Sequence, residues 1–137
     1  MDQLKIFCLC IHNDLLPKLR YIDYIPVGLG SDQFDKGWLT DKTGDNISAK
    51  NKYYGEYTFH YWFWKNEIKN IDSKNWIGFC AYRRFWSNER FTKNNGQKFE
   101  NKILKTVPKI WNDYDVILGN KISMNDIKWI KILKYGK

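Results

Sequence analysis

Tyr82-Arg83-Arg84 puts two adjacent guanidinium groups directly after an apolar run, Trp76-Ile77-Gly78-Phe79-Cys80-Ala81, in a chain of 137 residues. An arginine presents a planar fork that can hold two phosphate oxygens at once. Each such charge-assisted hydrogen bond contributes about 1.5–3 kcal/mol. The chemistry these residues suggest is therefore recognition of a phosphate or diphosphate. The competing reading is a strand that ends at the surface with its arginines in water. A second apolar run, Lys5 to Ile11, ends at His12-Asn13-Asp14. The His12 ring could hydrogen-bond a base or ribose, or simply cap the strand end.

Both runs are apolar on successive positions, the pattern of strands covered on both faces of a parallel sheet. In open parallel sheets ligands sit beyond the carboxyl ends of the strands, so His12 and Tyr82-Arg83-Arg84 are expected at one shared edge. Tyr21 to Val27 contains Pro26 and reads as a short or edge strand. The following Gly28-Leu29-Gly30 is no dinucleotide fingerprint, because Gln33 stands where its third glycine belongs. Tyr54, Tyr57, Thr58, Tyr61, Trp64 and Lys65 recur at helical spacing, with Trp62 and Phe63 widening the stripe and Ser48 or Asn51 available as caps. A helix this aromatic is expected to be clamped between the sheet and another layer. Glu56 stands near its first turn, where the dipole favours a carboxylate or a sugar hydroxyl could be met. His60, inside it, reads as an ordinary core or surface residue.

Asn88 to Gln97 reads as a polar loop, and Phe99 to Val107 as a helix stopped before Pro108. Tyr114 to Leu118 reads as a short buried strand. Met124 to Tyr135 reads as a basic amphipathic helix in a tail over 120–137, suited to docking or to a membrane surface. The order strand, strand, helix, strand, helix, strand, helix predicts an α/β fold of three layers. Its central sheet would be mostly parallel, with helices on both faces.

Composition narrows the function classes. With 43% hydrophobic and 28% charged residues the chain is expected to form one globular domain over 1–137. The formal charge of +8 favours an anionic partner, although scattered lysines make this a weak argument for nucleic acid. Cys8, Cys10 and Cys80 are odd in number and set in apolar runs, which suits a reducing compartment. Cys8, Cys10 and His12 alternate on one strand face. Positions two apart on a strand lie roughly 6.5 Å from each other, whereas two sulfurs on one zinc lie within about 4.6 Å. That excludes a zinc site there. No signal peptide is read in Leu4 to Ile11, and no run is long enough to cross a bilayer.

Five stretches in this order resemble the glycosyltransferases of capsular and exopolysaccharide biosynthesis, a family first catalogued as a domain of unknown function. They are the strand ending in His12, Gly37 to Ser48, Glu56 to Asn66, Ile77 to Phe85, and Tyr114 to Leu118. The resemblance implies a domain like the A-type glycosyltransferase fold that binds a nucleotide-diphosphate sugar. It would transfer the sugar to a glycan or lipid-linked glycan of the capsule, exopolysaccharide or lipopolysaccharide. The setting implied is the cytoplasm, at the inner face of the membrane. On that reading Asp45 and Glu56 act in catalysis, and His12, Tyr82, Arg83 and Arg84 hold the donor diphosphate. Thr43 and Asn46 would contact donor or acceptor. Mg²⁺ or Mn²⁺ would suit the chemistry. The one Asp-x-Asp, Asp113-Tyr114-Asp115, precedes its strand and falls at the wrong edge, so no metal ligands are assigned. Ala81 stands where the family usually has His, and the family domain continues past the Tyr114 strand. The chain is thus expected to be C-terminally incomplete, with an inactive remnant or interaction protein as the alternative. A module that stacks single-stranded nucleic acid on its aromatic residues is the other alternative.

Overall fold

Side-chain alternation along the first strand decides the layers. Ile6, Cys8 and Cys10 belong to one buried cluster and Phe7 and Leu9 to another, as the two-residue period of a strand requires. The structure, a computed structural model, describes residues 3–87 and 99–120. Strands β1 (Leu4–Cys10), β2 (Ile25–Gly28), β3 (Leu39–Thr40) and β4 (Trp76–Ala81) form a sheet in the order β3-β2-β1-β4. Every pairing is parallel.

Helix α1 (Leu16–Tyr21) lies on the first face, where Leu19 joins Ile6, Cys8, Ile22 and Tyr24. Pro17 sits in its first turn, where the missing N–H costs nothing. After the single turn α2 (Asn51–Tyr54), Gly55 adopts φ +54°, and α3 (Tyr57–Asn66) covers the second face through Phe59, Trp62 and Phe63. The Phe7 ring lies 5.6 Å from that of Phe59, 5.1 Å from Phe63 and 5.8 Å from Phe79. Helices on both faces of a parallel sheet make this an α/β fold of three layers.

Several sequence expectations are corrected. The expected strand over Tyr21–Val27 starts only at Ile25, because Leu16 to Tyr21 folds as α1. Pro26 is tolerated because β3 pairs only with Val27 and Gly28, leaving Pro26 a neighbour on the β1 side alone. Gly28 is required for a different reason from dinucleotide binding: the Phe34 ring occupies the space a Cβ would need. Strand β4 is half-buried throughout rather than fully covered, and among the described residues it pairs only with β1.

Phe99 to Val107 is not a helix. A 3₁₀ turn over Phe99–Lys102 leads to Ile103, which bridges Ser87, so that Ile103 and Leu104 both reach the core. Tyr114 to Leu118 forms no strand, and Tyr114, Val116 and Leu118 are exposed. The aromatic helix is covered on one side only. Tyr57 and Trp64 are 68% and 55% exposed, and the Lys65 ammonium lies 4.0 Å from the Trp64 ring centre. The expected loop over Asn88–Gln97 and the tail over 120–137, apart from Asn120, lie outside the described residues.

Phe59 is fully buried at the junction of helix and sheet. Phe59→Ala should cost about 3–5 kcal/mol through lost contacts and the cavity it leaves, read as a lower urea midpoint with little change in slope.

Candidate functional site

Strands β1 and β4 pair in register from Leu4–Trp76 to Leu9–Ala81, so they leave the sheet side by side. His12 and Tyr82 consequently meet. Nε2 of His12 and the Tyr82 hydroxyl lie 3.3 Å apart, and the rings are edge-on with centres at 5.0 Å. The Arg84 N–H donates to the Ala81 carbonyl at 2.8 Å, which turns the chain sharply at the strand end. The Arg83 guanidinium rests 5.0 Å from the Tyr82 ring centre. Both arginines are exposed, and neither forms an ion pair among the described residues.

Beyond these strand ends opens a cavity of about 1150 Å³, walled by Glu56 and His60 on one side and Tyr82, Arg83 and Arg84 on the other. The crossover from β3 to β4 explains the pairing of walls. Helix α3 runs back across the sheet, so its first turn lies over the carboxyl ends of the strands. Glu56 is exposed at the N-cap of α3, and His60 follows one helical turn later on the same face. The His60 ring packs edge-on against Phe79 at 4.7 Å and lies tilted against Tyr57 at 5.9 Å. Its nitrogens make no hydrogen bond among the described residues. Burial pushes its pKa below the ordinary 6.5, and the nearby Glu56 carboxylate opposes this more weakly. The neutral imidazole is therefore favoured.

Other expected residues lie elsewhere. The Asp45 carboxylate accepts the Tyr61 hydroxyl at 3.1 Å, and the Asp45 backbone is clasped by the Asn66 side chain. The Thr43 carbonyl accepts the Trp62 indole N–H at 2.8 Å. Asn46 bonds the Gly44 carbonyl and Ser48. These contacts fasten the Thr43–Asn46 loop to the second half of α3, and none of the three lines the cavity with Glu56. A loop rich in Asp and Asn satisfies its own backbone and that of its neighbours, which sequence alone does not distinguish from a binding loop. Asp41, just after β3, is 1% exposed, and its Oδ2 has no hydrogen-bond partner.

Two of the three cysteines are pushed toward the protonated, less reactive thiol. Cys80 is held protonated by its hydrogen bond with Cys8 and by burial, and burial likewise pushes the Cys10 thiol up. No group of three His, Cys, Asp or Glu among the described residues is arranged to hold a metal ion. Asp115 lines a separate cavity of about 540 Å³ with Leu4 and Trp76, the first residues of β1 and β4. That is the end of the sheet opposite the arginines, so Asp115 is not placed to hold Mg²⁺ or Mn²⁺ beside them.

Residues 5–133 match the family described as Domain of unknown function (DUF4422). The chain belongs to that family. No curated protein and no solved structure matches it. The DUF4422 match spans both strands that carry the cavity's walls and the whole of α3. No described helix of this DUF4422 domain is long and apolar enough to cross a membrane.

Because folding lowers the His60 pKa, the unfolded chain binds its proton first as pH falls. The resulting stability is present above pH 6.5, the ordinary histidine value, and is lost as pH falls through the folded-state value. His60→Gln should remove this part of the acid sensitivity of the urea midpoint between pH 7.5 and 5. In proton NMR the His60 ring should titrate below 6.5.

Proposed function

We propose that this DUF4422 domain transfers a sugar from a nucleotide-diphosphate donor to a hydroxyl of a surface glycan or lipid-linked glycan. The observation that carries the reading is the pair of adjacent guanidinium groups, without ion pairs among the described residues, on the wall of a cavity at the carboxyl ends of parallel strands. The resemblance of five stretches to polysaccharide glycosyltransferases, set out above, agrees with it.

Glycosyl transfer breaks the bond between the anomeric carbon and the donor diphosphate, and the diphosphate leaves with the electron pair. Arg83 and Arg84 are placed to bind that growing negative charge with fixed, always-protonated donors. Tyr82, braced by His12, forms a flat wall beside them for the nucleoside or sugar. Glu56, across the cavity, is the carboxylate positioned to meet a sugar or acceptor hydroxyl. On this reading the guanidinium pair takes the part of charge neutralisation that a divalent cation plays elsewhere, and no metal-holding cluster lies beside it among the described residues. A cytoplasmic setting fits three free cysteines, and the inner membrane face is where a lipid-linked acceptor would be met.

A second reading draws on the outward face of α2 and α3. Tyr53, Tyr54, Tyr57 and Trp64 are all exposed there, with Lys52 and Lys65 over two of the rings. Aromatic and basic residues in that arrangement can stack single-stranded bases. It predicts binding of oligo-dT that weakens steeply with salt.

Replacing Arg83 and Arg84 by Lys keeps the charge and removes the forks. Affinity for the bound nucleotide sugar should fall about tenfold or more in titration calorimetry, with an unchanged melting temperature. Unchanged affinity would remove the pair from the site.

A further inference from the structure

We infer that His60 is the group that takes the proton from the acceptor hydroxyl, with Glu56 as its charge partner. The inference rests on the proposed glycosyl transfer and assigns the one step of it that the arginines cannot perform. A hydroxyl adding to the anomeric carbon must lose its proton as the new carbon–oxygen bond forms and the carbon–diphosphate bond breaks. Guanidinium groups only donate, so the acceptor for that proton has to lie elsewhere in the cavity.

The opposite wall supplies two groups, Glu56 and His60. Glu56 is exposed at the helix end, where water competes for it. His60 is half-buried, its ring held edge-on against Phe79 on β4 and tilted against Tyr57 on its own helix. Among the described residues the ring nitrogens make no hydrogen bond, which keeps a nitrogen open to a substrate. The charged and titratable groups facing it are few. Glu56 shares its helix, Arg83, Arg84, Tyr82, Cys80 and Cys10 line the same cavity, and Asp72 lies on a shallower one behind the ring. Burial keeps the ring neutral at rest and so ready to accept a proton. The carboxylate of Glu56 favours the imidazolium once the proton has arrived. The balance is complete: the hydroxyl proton goes to the imidazole, the oxygen to the anomeric carbon, and the electron pair to the diphosphate.

The test uses the full chain and a panel of UDP- and GDP-hexoses, with water as the acceptor and released nucleoside diphosphate as the readout. His60→Asn should lower kcat at pH 7.5 by roughly 100- to 10,000-fold, while calorimetry shows donor affinity within about twofold of the parent. The parent kcat should fall as pH drops below 6.5, the ordinary value of the imidazole, and that acid limb should be absent from the variant. Glu56→Gln should keep the limb and move it to lower pH, since the carboxylate raises the imidazole pKa. A His60→Asn protein that binds donor and retains both kcat and the acid limb overturns the inference and leaves the transfer reading standing. A parent that binds none of the donors overturns both.

Discussion

The parallel, in-register pairing of β1 with β4 is the constraint on which the site depends. Because Leu9 lies beside Ala81, the next residues of both strands emerge together and His12 meets Tyr82. A slip of one residue would send every side chain of β4 to the opposite face of the sheet. Phe79 would leave the ring cluster of Phe7, Phe59 and Phe63, and Arg83 would turn away from the cavity. The aromatic packing beneath the sheet therefore fixes the register that places the arginines above it.

That coupling explains why so polar a site can stand on so apolar a base. Ion-paired arginines would be occupied and less available to an anion, whereas unpaired ones repel each other and lower stability. The sheet tolerates them because they stand past its end, exposed to water that screens them. Across the cavity the reverse applies. His60 is partly removed from water by Phe79 and Tyr57, which favours its uncharged form. In the proposed mechanism one wall attracts negative charge and the other accepts a proton.

The two strands that carry the site were legible in the sequence because each is an unbroken apolar run ended by polar residues, although β4 proves half-buried rather than fully covered. The sharing of one edge by His12 and Arg83 followed from the same pattern. What escaped depended on partners distant in sequence. Leu16 to Tyr21 is too short for its helical period to stand out, and Pro17 disguises its start. Tyr114 to Leu118 has strand-forming side chains but pairs with no neighbour among the described residues. Asp45 has the chemistry of a catalytic carboxylate, and its contacts with Tyr61 and Asn66, which tie its loop to α3, depend on the fold and not on local sequence. His60 reads in sequence as an ordinary core or surface residue, because its neighbours on β4 are set by the fold. Its spacing from Glu56 was the available signal.

A crystal structure with a bound nucleoside diphosphate tests the central claim most directly. The account predicts the diphosphate within hydrogen-bond distance of the Arg83 and Arg84 guanidinium groups, beside Tyr82 and facing His60. A diphosphate seated at the opposite edge of the sheet, near Leu4 and Trp76, or bound without either arginine, would contradict it.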